Sequence, residues 1–345
     1  MQRICSTLAA NGFEVTLVGR KMNTSITLTE QTFKQKRLHC FFQNGFAFYA
    51  EYNLRLFFYL LFKQADLFYA VDLDTILPNY FASAIKGKKR IYDAHELFTE
   101  QKEIVTRPAV HKFWMAIERF AVPKFRHGYT VNIFIKDELK RRYNVEYGII
   151  RNLPVNFLLA KQEEKKVKYI VYQGAVNEGR SFETLIPAMC RVNTPLNIYG
   201  KGNFFEQTKE LINKNKLEHK IELAGYVKPT QLKQLTQQAY IGLTLFEKTG
   251  LNQYYSLSNR FFDYIMAGIP QVCVNYPEYK AINDQYNVAL MIDDTDEQTI
   301  ADALNRLLHD KTLYEQLKKN CVIAREQLNW QEEEKKLIAV FRSIL

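Results

Sequence analysis

Short apolar runs alternate with stretches of helical period along almost the whole chain. Runs at 14–18, 66–71, 90–92, 129–131, 169–172, 196–199, 221–223, 241–245, 271–274 and 289–292 predict strands. Apolar residues spaced for helices lie between most of them, as at 113–121, 182–190 and 297–308. Strands that alternate with helices of this length predict an α/β chain, with parallel sheets covered by helices on both faces. At 345 residues the chain is long enough for two domains, each with its own core.

The first residues break the alternation. Ile4, Leu8 and Ala9, followed by Asn11-Gly12, read as a helix with a glycine stop, and the strand 14–18 comes after it. A doubly wound domain places a strand ahead of that helix, in the middle of the sheet. Without it the neighbouring strands are left with unpaired N–H and C=O groups. Either the reading frame extends upstream or this domain has lost a strand; the expectation is an upstream start.

Charge divides the chain. Residues 1–151 hold 23 Lys+Arg and 14 Asp+Glu, a net of +9, whereas residues 152–345 hold 24 and 23, a net of +1. A basic half suits an anionic membrane surface or a phosphorylated substrate. No helix-turn-helix, zinc-finger or RNP-like motif accompanies it, so nucleic acid is not an expected partner. The aromatic segment 41–62 is interrupted by Asn44, Glu51, Asn53 and Arg55, and so is not a membrane span. It reads as a core helix or as an interfacial surface. The five cysteines show no paired spacing, which points away from a disulfide framework or a structural zinc site and fits a cytoplasmic protein. The start of the chain has no signal-peptide pattern.

The segment 255–270 concentrates candidate chemistry. Ser256 and Ser258 suit a helix N-terminus near residue 257, whose free N–H groups and dipole favour a phosphate. Arg260 and Asp263 share one face of that helix. Arg260 supplies a second phosphate contact, and Asp263 can accept hydrogen bonds from a ribose diol. An amphipathic helix with a polar outer face is the plainer reading. Elsewhere, Gly174 follows the strand 169–172, and Gly179-Arg180 opens a helix where backbone and charge can approach a phosphate. Gly200-Lys201-Gly202 is a weak signal and a turn by default. Asp72, Asp74 and His95 end two strands of the first half, where α/β sheets bind ligands. Asp74 also suits a helix N-cap.

The order and spacing of 71–75, 92–96, 150–154, 172–175 and 255–270 resemble the retaining glycosyltransferases of the family 4 type, a class found in bacterial cell-surface polysaccharide assembly. The resemblance implies two Rossmann-like doubly wound domains facing a cleft, the GT-B fold, with the first strand of the N-terminal domain missing. It divides the chain into an acceptor-binding domain 1–151, a linker region 152–167 that includes the charged run 161–166, a nucleotide-sugar-binding domain 168–329, and a helix 330–345 that packs back on the first domain. It implies retaining transfer of a hexosyl group from a UDP- or GDP-sugar to a glycan or lipid-linked acceptor, with no other cofactor.

By the same resemblance, His95 and Asp72 are the catalytic candidates. Gly174, Arg180, Tyr226, Ser256, Ser258, Asn259, Arg260 and Asp263 hold the donor, with Tyr226 near the nucleobase. Many relatives carry two glutamates with seven residues between them; here Asp263 fills the second position and Tyr255 the first. No metal is called for, because Arg180 and Arg260 can neutralise the diphosphate and Asp72-Leu73-Asp74 lies in the other half. The expected location is the cytoplasm, peripheral on the inner face of the membrane. A non-catalytic paralogue and a sugar-nucleotide epimerase on the same fold remain open alternatives.

Overall fold

The computed structural model describes residues 1–23, 25, 27–159 and 168–345; the charged run 161–166 lies outside them. The chain forms two units, Met1–Arg151 with Glu333–Leu345, and Asn152–Glu332.

Unit 1 runs through α1 (Gln2–Ala10), β1 (Thr16–Lys21), β2 (Lys34–His39), α2 (Gly45–Leu61), β3 (Leu67–Val71), α3 (Ile76–Ile85), β4 (Lys89–Ala94), α4 (Lys102–Val105), α5 (Pro108–Ala121), β5 (His127–Thr130), α6 (Ile133–Tyr143) and β6 (Gly148–Ile149). Local chemistry sets the helix ends. Asn132 Oδ1 accepts from the Ile135 N–H at 2.8 Å to start α6, and Asn144 in the left-handed region ends it. The strand expected at 14–18 forms two residues later. The Phe13 N–H still closes the turn after α1 by donating to the Leu8 carbonyl at 3.1 Å, which delays the extended backbone.

All strand pairs of unit 1 are parallel, yet they form two separate sheets among the described residues, β1-β2 and β3-β4-β5-β6. β1 and β3 each leave one edge without a strand partner among those residues. The break falls where the doubly wound order sets a strand that leads into α1. β1 and β2 contain no fully buried residue, whereas the last four residues of β4 are all buried. Residues Glu333–Leu345 return to this unit, where the Phe341 ring meets Phe13 and Tyr69 edge-on at 6.1 and 5.7 Å.

Unit 2 contains β7 (Ile170–Gln173), α7 (Phe182–Ala188), β8 (Leu196–Tyr199), α8 (Phe205–Lys214), β9 (Ile221–Gly225), α9 (Pro229–Gln238), β10 (Ile241–Thr244), α10 (Leu251–Tyr254), α11 (Asn259–Ala267), β11 (Gln271–Val274), α12 (Pro277–Tyr286), β12 (Ala289–Ile292), α13 (Glu297–His309) and α14 (Lys311–Ala324), followed by α15 (Trp330–Ile344). Its strands form one six-stranded parallel sheet in the order β12-β11-β10-β7-β8-β9. β7, β10 and β11 are buried at every position, as a sheet covered on both faces requires. The order reverses between β7 and β10, and in such sheets ligands bind beyond the carboxyl ends of the two strands at that point.

Candidate functional site

Four of the donor candidates, Gly174, Arg180, Arg260 and Asp263, gather at this switch point of unit 2. Gly174 directly follows β7, and its loop is locked to the next one. A Cβ at Gly200 would stand 1.7 Å from the Gly174 carbonyl oxygen, so only glycine fits there. The Gly200-Lys201-Gly202 turn therefore serves close loop packing. Arg260 enters from α11 and is 7% exposed. Its guanidinium carbon lies 4.3 Å from the centre of the Tyr172 ring and 5.1 Å from that of Phe246. A Cβ at Gly174 would lie 3.4 Å from its Nη2. Its Nη1 is buried with no hydrogen-bond partner among the described residues. A buried cation with an idle donor is costly unless an anion completes it. Arg180 stacks on the same Phe246 ring, 4.3 Å from its centre.

The N-terminus of α11 differs from expectation. The helix begins at Asn259, not near 257, and Ser258 at the N-cap makes no side-chain cap. The Ser258 N–H donates to the Tyr279 hydroxyl at 3.0 Å, and the Ser256 hydroxyl donates to the Gln253 carbonyl at 2.8 Å. Both groups thus bind within the protein, because the turn after α10 claims the first serine and a buried tyrosine claims the second. Asn259 Oδ1 accepts from Asn152 Nδ2 at 3.1 Å. Asp263 accepts from Gln173 Nε2 at 2.9 Å, and Gln173 in turn takes the Thr236 hydroxyl, so the carboxylate is held at the end of β7. Tyr226 lies just past β9 and is 71% exposed. Gln173 and Phe246 were not among the expected site residues; Gln173 is the last residue of β7 and Phe246 lies two residues past the end of β10, and only the strand order reveals that both stand at the switch point.

In unit 1 the strand ends bring Asp72 and His95 together. The His95 backbone N–H donates to Asp72 Oδ1 at 3.1 Å, and His95 Nε2 lies 3.2 Å from Asp93 Oδ2. Asp93 is fully buried on β4 and accepts from the Tyr69 hydroxyl at 2.5 Å and the Tyr129 hydroxyl at 2.9 Å. Burial lowers the affinity of His95 for its proton, but the hydrogen bond and charge of Asp93, with the charge of Asp72, outweigh it and raise its pKa to about 9. Burial raises Asp72 to about 7, against the opposing charge of His95. Burial also raises Asp74 to about 6. The N-cap role considered for Asp74 falls to Thr75, since α3 begins at Ile76. The Asp74 carbonyl accepts from Asn53 Nδ2 at 2.9 Å. Asp93, Tyr69 and Tyr129 had no expected role. No group of three or more His, Cys, Asp and Glu side chains able to hold a metal ion occurs among the described residues.

Residues 157–322, within unit 2, match the profile of the family described as glycosyl transferases group 1. Solved structures resemble the chain over nearly its full length. A sucrose-phosphate synthase from Thermosynechococcus elongatus has a TM-score of 0.78 at 15% identity, over 99% of this chain and 91% of that one. A glycosyltransferase from Rickettsia africae gives 0.73 at 12% identity, over 99% and 94%. Anabaena Alr3699/HepE in complex with UDP-glucose gives 0.72 at 12%, over 90% and 86%. No curated protein sequence matches the chain. The chain has the GT-B fold, and the match of residues 157–322 to the group 1 profile supports glycosyl transfer.

Proposed function

We propose that this protein is a retaining hexosyltransferase that takes a sugar from a UDP- or GDP-sugar and passes it to a glycan or lipid-linked acceptor in the cytoplasm without a bound metal. The observation that carries the reading is Arg260, a buried guanidinium with an idle Nη1 at the switch point of unit 2. A diphosphate is the ligand that completes it, and Arg180 beside the same Phe246 ring adds the second positive charge. Departure of the nucleoside diphosphate builds charge on the leaving oxygen, and fixed cations stabilise that charge without reorganising. Asp263, oriented by Gln173, takes the ribose hydroxyls. Tyr226, exposed beyond β9, offers its ring to the base.

In unit 1 His95 carries its proton through neutral pH and acts as a cationic hydrogen-bond donor to the reacting sugar. Asp72, which titrates near neutrality, takes the acceptor's proton in this reading. The complex of Alr3699/HepE with UDP-glucose supports a uridine donor by analogy of fold. The test is a hydrolysis and transfer screen over UDP- and GDP-sugars, with the product anomer read by NMR and with chelator present. Turnover that keeps the donor's configuration and survives chelation is expected. Inversion, strict dependence on a divalent cation, or no nucleotide binding at all overturns the reading.

A further inference from the structure

The strongest unassigned feature of the molecule is the outer face of three neighbouring helices in unit 1. The inner stripe of α2 (Phe48, Tyr52 and Leu56) is buried. Its outer stripe, at the same four-residue spacing, is Phe46, Ala50, Leu54, Phe58 and, just past the helix end, Phe62. All five are exposed and none is polar, with Phe46 and Phe62 at 70% and 81%. A helix on the surface of a globular protein normally turns polar residues outward. α3 repeats the departure with Phe81 and Ile85, and α5 with Ala109, Phe113, Ala116 and Phe120.

The three stripes are continuous. Phe46 of α2 meets Phe113 of α5 with ring centres 5.5 Å apart, and Phe81 of α3 meets Phe120 of α5 at 6.1 Å. Lys86 at the end of α3 donates to the carbonyl of Leu61 at the end of α2 at 2.9 Å.

Cations surround this apolar field. Lys63 Nζ lies 5.6 Å from the centre of the Tyr59 ring, and Lys124 Nζ lies 4.4 Å from that of Phe120. Lys112 and Arg119 are exposed on α5 beside its stripe. The acids of the three helices are engaged elsewhere. Glu51 accepts from the Phe41 and Phe42 N–H groups and from Arg55, and Glu118 is buried against Thr99 and Tyr143. The face therefore presents aromatic side chains within a positive rim, which complements a bilayer surface with anionic headgroups. No helix is long and apolar enough to cross a membrane among the described residues, which leaves a surface seat rather than a span.

We infer that the outer stripes of α2, α3 and α5 dock the protein on an anionic lipid bilayer, with the aromatic rings at headgroup depth and the lysines and arginine on phosphates. The docking rests on unit 1 alone and does not depend on the donor reading of unit 2. The test is sedimentation of the full chain with phosphatidylcholine vesicles, with and without phosphatidylglycerol. Binding to the anionic vesicles is expected, falling as salt rises and weak on the neutral ones. Phe58→Ser combined with Phe62→Ser removes two exposed rings and is expected to lower the partition about tenfold or more. Lys112→Glu with Lys124→Glu is expected to abolish the preference for the anionic vesicles.

Should a double variant fail to fold, a single Phe58→Trp in the otherwise unchanged protein gives the same answer. The native Trp114 and Trp330 are buried, so the added indole is the one that vesicles can reach. Emission of this variant is expected to shift to the blue on addition of anionic vesicles. Three results overturn the inference. One is equal binding by the unchanged chain and both double variants. Another is the absence of binding together with an unshifted emission of the Phe58→Trp variant. The third is a serine variant that becomes monomeric from a self-associated parent while vesicle binding stays the same, which assigns the face to contact between copies.

Discussion

Unit 2 closes one six-stranded sheet around a core in which Ile170, Tyr172, Phe261 and Val272 are almost fully buried, and its site grows out of that core. Unit 1 divides its strands into a pair and a set of four, carries the excess of positive charge, and turns aromatic residues outward. The contrast shows two ways of placing function on similar α/β architecture. In unit 2 a buried guanidinium is fixed by packing against Tyr172 and Phe246, so at the proposed donor site ligand affinity and fold stability depend on the same contacts. In unit 1 the candidate catalytic pair sits at strand ends and the aromatic stripes of α2, α3 and α5 face outward, so chemistry and stability separate more easily.

The sharpest way to break this contrast is His95→Ala. Loss of one group that stabilises a transition state typically costs about 10²–10³ in rate. Turnover is expected to fall by that much while calorimetric affinity for UDP and GDP stays as it was, because the proposed nucleotide contacts belong to unit 2. A parallel loss of nucleotide affinity breaks the division of labour. Early melting with activity per folded molecule intact makes His95 structural.

Arg260→Ala is expected to weaken nucleoside diphosphate binding by about ten- to a hundredfold, since hydrogen bonds to charged groups contribute roughly 1.5–3 kcal/mol. Calorimetry that finds unchanged affinity removes the donor site from the switch point. Asp263→Asn is a finer probe, expected to weaken UDP by about tenfold or less and to leave pyrophosphate untouched, because the role assigned to the carboxylate is on the ribose. Equal losses for both ligands would falsify that assignment.

The smallest effect is one of pH. Asp72 and His95 both have folded-state pKa values above those of the unfolded chain, about 7 and about 9. A raised value means a contribution that is complete at acid pH and lost as pH rises through the folded value, so unit 1 loses stability across neutrality and on toward pH 9. For His95 the loss is at most roughly 3 kcal/mol and less after screening, since the ring is partly exposed. The thermal midpoint of unit 1 should fall by a few degrees over this range, and His95→Gln should flatten the upper part of the curve. A midpoint that rises with pH contradicts the geometry of Asp93 and His95.

Much of the fold was readable because period and punctuation agree. Gly268 ends α11 in the left-handed region, and Asp296 caps α13 through the Gln298 and Thr299 N–H groups, so residue types marked those ends directly. Aromatic content also marked the segment that forms α2, but two apolar stripes on one helix look the same in sequence whichever faces the core. The candidate site was legible only where one segment holds several of its parts, as Arg260 and Asp263 do. The Asp93 cluster draws on three strands: Asp93 pairs in register with Tyr129 across β4 and β5, while Tyr69 approaches from β3. Strand register is set by the assembled sheet, and a linear pattern carries no trace of it. The start of α11 was misplaced for a similar reason, because Tyr279, which holds the Ser258 amide, comes from a different helix.

The separate pair β1-β2 has a kinetic consequence. A two-stranded sheet is marginal by itself, and here its support is the small cluster that Cys40 forms with Phe48, Tyr52 and Leu56 of α2, against which Val18 and Leu38 pack. Opening it breaks the six register pairs from Thr16–Lys34 to Lys21–His39 while the four-stranded sheet stays intact. Such sub-global openings set the rate at which amide protons trade with solvent. Deuterium should therefore enter β1 and β2 well before it enters β7 or β10, and the order of labelling divides unit 1 from within. Because α2 lies over this pair with its other stripe facing outward, anything that grips the outer stripe should slow the labelling beneath it.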